Sequence, residues 1–281
     1  MTQPQTRGQG NEVWRARLDL GFESRGGRTV LASRRHHGPL RVQRPFYPEG
    51  ERVCHVYLLH PPGGLVGGDE LVIDVAVNAG ASALLTTPAA GKFYRSNGVV
   101  ARQAQRLRVE QAATLEWLPQ ESILFDGAHA ELSTRVELAA GACFIGWEIT
   151  VLGRPGAGER FAHGALRQRI ELWREGQPLY LERARYEEGA AVLGAPWGLA
   201  GHAVSGSLLC VCDGVELLEQ VREAVAPAAG LFSATRLDGM MVCRYLGDHA
   251  DEARRCFETV WTVLRPALLQ RPACAPRIWA T

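Results

Sequence analysis

Three segments of the chain repeat one local pattern, in which a strand-like run leads through a turn of small residues into a second strand-like run. The three turns end at Ala81, Ala113 and Ala142, so the pattern recurs after 32 and then 29 residues. A unit this short cannot bury its own apolar face, and successive units must therefore stack. The repeat predicts a mainly β fold, a layered body of stacked β-hairpins or β-helix-like coils.

The last third of the chain changes from strand-like alternation to helical periodicity. The segment 214–226 places apolar residues on one helix face, with Asp213 as N-cap and Pro227 as the stop. A second helix is predicted over 248–265, where Pro266 ends or kinks it. Two helices in the C-terminal third therefore pack on the β body.

Two β-hairpins are predicted outside the repeat. One spans 170–183 and turns at 175–178, where Gly and Pro interrupt the strand-like sequence. The other spans 231–245 and turns at an Asp-Gly pair, 238–239. Strands therefore continue almost to the second predicted helix.

The composition is that of an ordinary globular protein, with 46% hydrophobic and 22% charged residues. No linker or low-complexity stretch divides the chain, which predicts a disordered tail over 1–12 and a single domain over 13–281. A net charge of +1 gives no electrostatic reason to expect a nucleic acid or a membrane as partner. The polar first residues lack the apolar core of a signal peptide, so a cytoplasmic location is expected.

The cysteines are odd in number and scattered, at positions 54, 143, 210, 212, 243, 256 and 274. This distribution is typical of reduced, buried thiols in a cytosolic protein. Cys210 and Cys212 would share one face of a strand and could form a soft-metal pair, although buried thiols fit their apolar surroundings better. We therefore expect no fixed metal site.

The segment 60–69 carries glycines at positions 63, 64, 67 and 68 between two predicted strands. A phosphate-binding loop leads into a helix that holds the anion at its N-terminus. Here the strand-like run 70–77 follows instead. Two interpretations stay open: a tight connection in which Asp69 bonds its own backbone, and a surface that contacts a partner or conducts an ion.

Two later segments carry polar groups beside strand ends. In 86–95, Lys92 and Arg95 could hold an anion together, or could belong to a basic surface loop paired with acids. In 117–126, Glu121 follows an apolar run and could be buried with a shifted pKa, or could satisfy backbone donors at a corner. No Gly-x-Ser-x-Gly or His-Glu-x-x-His motif is present. The chain is therefore not predicted to be an enzyme.

The sequence resembles the urease accessory protein UreD family, also called UreH, over about residues 14–281. The resemblance lies in segments that occur in the family order: 38–50, 60–69, 86–95, 117–121, 153–159 and 276–281. Each motif alone is modest, but the ordered set is specific. It implies a β-rich stack of strands with two helices, in agreement with the pattern of repeats.

The resemblance also implies a function. Members of the family do no chemistry of their own; they form a complex with the accessory proteins UreF and UreG (UreG is a GTPase) on apo-urease and help to deliver nickel. An internal polar passage is thought to carry the ion. Such a passage needs oxygen or imidazole ligands that bind weakly and exchange, so transient Ni²⁺ is expected rather than a tightly bound cofactor.

The candidate passage residues adjoin glycine-rich strand ends and are His60, Asp69, Glu70, Thr86, Thr87, Glu121, Asp126 and Glu148. The candidate partner-contact residues are Gly63, Gly64, Gly67, Gly68, Lys92, Tyr94 and Arg95. An adaptor with little net charge and exposed contact surfaces is also expected to self-associate when unpartnered. The alternative function is an anion- or nucleotide-binding enzyme that uses the glycine-rich loop 63–68 with Lys92 and Arg95.

Overall fold

The computed structural model describes residues 14–211, 217–226 and 230–280. The predicted tail 1–12, Cys212, Asp213 and Pro227 lie outside the described residues. The strands are β1 (Arg15–Arg25), β2 (Arg28–His37), β3 (Arg41–Val42), β4 (Val53–Leu59), β5 (Glu70–Val77), β6 (Ser82–Thr86), β7 (Gly91–Phe93), β8 (Ala101–Val109), β9 (Thr114–Leu118), β10 (Ser122–Leu124), β11 (His129–Leu138), β12 (Cys143–Arg154), β13 (Glu159–Arg160), β14 (Ala165–Arg174), β15 (Gln177–Glu187), β16 (Val204–Val211), β17 (Leu231–Leu237) and β18 (Met240–Gly247). The α-helices are α1 (Leu218–Val225) and α2 (Ala250–Leu269).

Two sheets carry the body of the protein. The first sheet has seven strands in the order β15-β14-β11-β8-β5-β1-β2. The second sheet follows the order β17-β18-β16-β12-β9-β6-β4-β3; in addition, β10 and β13 pair with β12, and β7 pairs with β10. Within each sheet, the central strands run parallel to one another. They do so because each turn of the chain adds one strand to the first sheet and one to the second.

The repeat therefore builds coils, which confirms the β-helix-like form of the prediction. The two strands of a unit lie in different sheets and do not pair with each other as a hairpin. The turns stack instead: the N–H of Thr114 donates to the carbonyl of Ala81 at 2.9 Å, and the N–H of Cys143 donates to that of Ala113 at 2.9 Å. Ala81 and Ala113 are almost fully buried at these corners, which explains why small residues recur there.

Both predicted hairpins are present. Strand β14 pairs antiparallel with β15 and completes one edge of the first sheet, while β17 pairs antiparallel with β18 at one edge of the second sheet. The free edges of β15 and β17 therefore belong to different sheets, and each is the edge next to the last strands that the chain adds to its sheet.

Two apolar cores divide the fold. One lies between the sheets and takes alternate residues from the first sheet, whose other face carries charged side chains. The second lies between the second sheet and α2, so that β12 is buried on both faces for most of its length. Helix α2 packs on β12, β16 and β18. None of the described helices is long and apolar enough to cross a membrane.

The sequence predicts that Pro266 either ends or kinks the second helix. Helix α2 does not end there but continues to Leu269. A proline inside a helix removes one backbone hydrogen bond and crowds the preceding turn. The neighbouring Arg265 holds this part of the helix in place, because its guanidinium is fully buried and bonds Glu116 on β9 and Glu49 in the β3–β4 connection. The end of α2 is therefore fixed to the second sheet by an ion-pair cluster.

Candidate functional site

A cavity of about 190 Å³ lies between the two sheets. Leu71 and Ile73 contribute to its wall from the first sheet, and Trp117 from the second. Other apolar side chains complete much of the wall, but a group of polar side chains from neighbouring strands also faces this space. The polar residues that long strands contribute to this wall are Gln103, Gln105, Ser133, Thr134, Glu148, Thr150 and Gln168.

The polar wall comes from strand positions that are apolar elsewhere in the coils. Strand register places Gln105 beside Ile73 on one side and beside Thr134 on the other. On the next strand of the first sheet, β14, register places Gln168 beside Leu132 of β11. Stacking of the coils therefore gathers amides and a hydroxyl into one part of the core.

Glu148 on β12 lies at the centre of these groups. The amide of Gln168 donates to Glu148 Oε2 at 2.8 Å, and the hydroxyl of Thr134 lies within hydrogen-bond distance of Glu148 Oε1 and of Gln105 Oε1. Burial raises the pKa of Glu148; the bonds from Thr134 and Gln168 oppose this, and the negative charge of Glu182 adds to it. The Glu148 carboxyl therefore holds its proton more strongly than an ordinary glutamate.

A second cavity, of about 610 Å³, shares Glu148, Thr150 and Gln168 with the first. It continues between β15 of the first sheet and β18 of the second, where Glu182 and Arg244 line it. A series of polar groups therefore runs through the body, from the first cavity past Glu148 to the β15 edge.

His60, Thr87, Lys92 and Gln120 line the other end of the first cavity. Burial lowers the pKa of His60, and the charge of Asp69 opposes this only in part. A neutral imidazole at neutral pH can offer a nitrogen lone pair to a metal ion. The hydroxyl of Thr87 accepts the N–H of Gln120 at 2.9 Å, which fixes both residues at this end.

Among the predicted passage residues, His60, Thr87 and Glu148 line the cavities. Thr86, next to Thr87, belongs to the opposite face of the second sheet, where its hydroxyl donates to the carbonyl of Leu118 and accepts Trp279 Nε1–H at 2.9 Å. Glu70 lies on the charged outer face of the first sheet, 3.7 Å from a guanidinium nitrogen of Arg15.

The other three predicted acids hold local structure. Asp69 Oδ2 accepts the N–H of Val66 at 2.9 Å, so its carboxylate fixes the glycine-rich loop. Glu121 lies 3.7 Å from Arg254 of α2. Burial opposes ionisation of Asp126, but its bonds from the side chain and N–H of His163 outweigh burial and lower its pKa. None of these three residues lines the two cavities.

The glycines of 60–69 let the loop pack closely against the segment that follows β7. A Cβ at Gly64 would lie 2.4 Å from the Tyr94 ring, and one at Gly67 would lie 2.7 Å from the carbonyl oxygen of Val99. Gly63 and Gly68 have φ of 78° and 94°, which favour glycine. Much of the loop's glycine content therefore serves contacts within the chain.

The groups required for the alternative anion site do not come together. Lys92 lines the first cavity. Arg95 instead pairs with Asp126 at 3.1 Å, and its side chain is 70% exposed. The element that follows the glycine-rich loop is strand β5 and not a helix whose N-terminus could hold the anion. An anion- or nucleotide-binding enzyme is therefore not favoured.

The described cysteines do not form a metal site. Burial raises the pKa of the Cys54 thiol to about 11 and that of Cys243 to about 12, which disfavours the thiolate that metals bind. Within 14–211, 217–226 and 230–280, no group of three or more His, Cys, Asp or Glu side chains could hold a metal ion. The predicted Cys210–Cys212 pair cannot be placed, since Cys212 lies outside those ranges.

The sequence reasoning missed most of the cavity wall, including Gln105, Thr134, Gln168, Glu182 and Arg244. A signal was available in strand alternation. Thr134 occupies the same face of β11 as Leu132 and Val136, which are buried. A polar residue at a core position of a strand marks a polar site inside the body.

Comparisons with known proteins identify the family. The family model of the UreD urease accessory protein matches residues 15–280. The urease accessory protein UreD of Azoarcus sp. (strain BH72) is 53% identical over 270 residues, which cover 95% of this chain and 94% of that protein. The UreD proteins of Dechloromonas aromatica (strain RCB), 47% identical over 95% of both chains, and Klebsiella aerogenes, 46% identical over 95% of this chain and 97% of its own, are similar. The chain therefore belongs to the UreD family of urease accessory proteins.

Proposed function

We propose that this protein is a urease maturation factor without catalytic activity, and that it passes nickel through the polar space between its two sheets. It acts in a complex with UreF and UreG on apo-urease. The observation that supports the passage most directly is that two cavities share Glu148, Thr150 and Gln168 and extend from His60 to Glu182. Membership of the UreD family supports the role in urease maturation.

The chemistry of the wall suits transient binding of a divalent cation. Amide and hydroxyl oxygens are weak ligands for Ni²⁺, and the imidazole of His60 is a stronger one at a single end. Glu148 must lose its proton before it can bind an ion as carboxylate, and its raised pKa makes that loss costly. Nickel therefore binds weakly at each position and can move on.

Exposed apolar side chains support a docked partner beside the second cavity. Trp197 is 75% exposed and Leu231 is 63% exposed, and both line that cavity. Exposed apolar side chains grouped on one surface mark contact sites for other proteins. The same surface favours self-association of the isolated chain. Because its partners assemble on apo-urease, we place the protein in the cytoplasm.

The experiment that tests the passage is the Glu148→Gln substitution in the full chain, expressed with the other accessory proteins and urease. Glutamine keeps the shape and can still accept from Gln168, so folding and co-purification with the complex should be retained. The nickel content of the urease should fall severalfold, because the passage loses its central carboxylate. Glu137→Gln is a matched control, since Glu137 is half exposed on the outer face of the first sheet. Normal nickel content with Glu148→Gln would contradict the proposal.

A further inference from the structure

The far end of the second cavity is bridged by one cluster of polar side chains. Glu182 comes from β15 of the first sheet and Arg244 from β18 of the second. Arg244 Nη2 donates to Glu182 Oε2 at 3.0 Å and to the hydroxyl of Tyr180 at 2.6 Å. Arg244 Nη1 lies 3.4 Å from Glu182 Oε1. The guanidinium therefore joins β15, the edge strand of the first sheet, to β18, the strand next to the edge of the second sheet, across the cavity.

The contacts within this cluster shift the pKa values of Tyr180 and Arg244. Burial and the neighbouring Glu182 raise the pKa of Tyr180, so its hydroxyl stays protonated and hydrogen-bonds the Glu182 carboxylate. The carboxylate raises the pKa of Arg244 against the opposing effect of burial. Both oxygens of the Glu182 side chain therefore face donors of this cluster, Oε2 toward Tyr180 and Arg244 and Oε1 toward Arg244.

Glu182 is also the carboxylate that follows Glu148 along the cavities. The two are close enough for the charge of Glu182 to raise the pKa of Glu148. A cation that leaves Glu148 toward the β15 edge therefore meets Glu182 next, and meets it already neutralised by Arg244.

We propose that Arg244 is a gating residue, which closes the β15 end of the passage by occupying the carboxylate of Glu182. This rests on the proposed function. The side chain of Arg244 is 51% exposed, whereas that of Glu182 is 21% exposed. The guanidinium can therefore turn toward solvent at the modest cost of a partly exposed ion pair. While it remains in place, its positive charge repels a divalent cation and the cation finds no anionic ligand at this end.

The test is equilibrium binding of Ni²⁺ to the isolated full chain, measured by dialysis for five variants and the wild type. Arg244→Gln frees Glu182 and should tighten nickel binding by about tenfold or more. Arg244→Lys keeps a charge beside Glu182 and should bind like the wild type. Arg244→Gln combined with Glu182→Gln should lose the gain. Arg169→Gln is the matched control, because Arg169 lies beside Glu171, 3.7 Å away and outside the cavities, and should change nothing.

Glu182→Gln alone provides an independent check through the double-mutant cycle. With Arg244 in place it should leave nickel binding unchanged, whereas in the Arg244→Gln background it should remove the new site. Equal binding by the wild type and Arg244→Gln would overturn the gate, as would an equal gain with Arg169→Gln. These outcomes are separate from the transfer test: normal urease nickel with Glu148→Gln overturns the passage, while the binding gain of Arg244→Gln would still stand.

Discussion

Two regions of this protein bury ionisable side chains, and they treat them in opposite ways. Beneath α2, Arg265 bonds Glu116 at 2.9 Å and Glu49 at 2.6 Å, and Glu49 also bonds His55 at 2.6 Å. Between the sheets, Glu148 has amide and hydroxyl neighbours and no bonded cation. A buried charge with a bonded counter-charge is fixed in place. A buried carboxyl among neutral groups keeps its capacity to bind a cation.

The pKa directions agree with this difference. His55 and Arg265 lower the pKa of Glu49 in spite of its burial, whereas burial raises that of Glu148. The helix-side core therefore favours the charged forms of Glu49 and Arg265, whereas burial in the inter-sheet core disfavours the charged form of Glu148. Function is expected where the charge is not already compensated.

The largest expected effect is that of Arg265→Met. It leaves two carboxylates, whose side chains are 2% and 10% exposed, without their guanidinium. Breaking a buried ion pair in this way costs about 3–5 kcal/mol. Urea denaturation of the variant should show this loss, and nickel transfer should fall only as far as the folded fraction does. A stability change below about 1 kcal/mol would show that the cluster does not hold α2.

Asp69→Ala should have an intermediate effect. The carboxylate accepts the Val66 N–H and fixes the glycine-rich loop. Its loss should lower stability by about 0.5–2 kcal/mol, the usual cost of losing such a backbone cap. Thermal unfolding measures the loss, and urease nickel content should decline in proportion to the yield of folded complex. Normal stability with low urease nickel would instead return Asp69 to the passage.

The pH dependence of stability separates the two regions by sign. The raised pKa of Glu148 means that its contribution is fully present below the ordinary value of 4.5 and is lost as pH rises toward the folded-state pKa. The lowered pKa of Glu49 means that its contribution is present above 4.5 and is lost as pH falls. Urea denaturation across the acid-to-neutral range measures the free energy of unfolding at each pH. Glu148→Gln should reduce the decline of that free energy as pH rises above 4.5. Glu49→Gln should reduce its decline as pH falls below 4.5. If the free energy of unfolding changed with pH in the same way in both variants, the proposed difference between the two regions would be wrong.

The smallest expected effect is that of Arg255→Met on the exposed side of α2. Arg255 pairs with Asp251 one helical turn away, and the two side chains are 64% and 56% exposed. Such a pair contributes about 0–1 kcal/mol. Chemical denaturation should place this variant close to the wild type, which makes it the matched control for Arg265→Met. A loss as large as that of Arg265→Met would mean that removing any arginine from α2 is destabilising.

The sequence predicts the fold better than the site, for a physical reason. The coil corners can be predicted from local sequence, because small residues recur there at Ala81, Ala113 and Ala142. The two late hairpins can be predicted in the same way from their own turn residues. The proposed passage is lined by side chains that are distant in sequence: Gln105 and Thr134 are 29 residues apart, and Glu148 and Gln168 are 20 apart. Only strand register brings them together.

Proximity in sequence also misdirects the assignment of site residues. Thr86 and Thr87 are adjacent, but successive side chains in extended chain point to opposite faces, so Thr87 lines the cavity and Thr86 bonds Trp279 beneath the helices. Glu70 follows the glycine-rich loop and points to the outer face of the first sheet. The alternation of buried and polar positions along the strands therefore identifies the residues that line the cavities better than the loops do.

The most direct test of the central claim is anomalous X-ray diffraction at the nickel edge, from crystals of the full chain equilibrated with Ni²⁺. The account predicts an anomalous peak between the sheets, within coordination distance of Glu148 and next to Gln168 or Thr134. That peak should be absent from Glu148→Gln crystals treated in the same way. Peaks confined to surface histidines, with none between the sheets in the wild type at high nickel concentration, would contradict the claim that this space carries nickel.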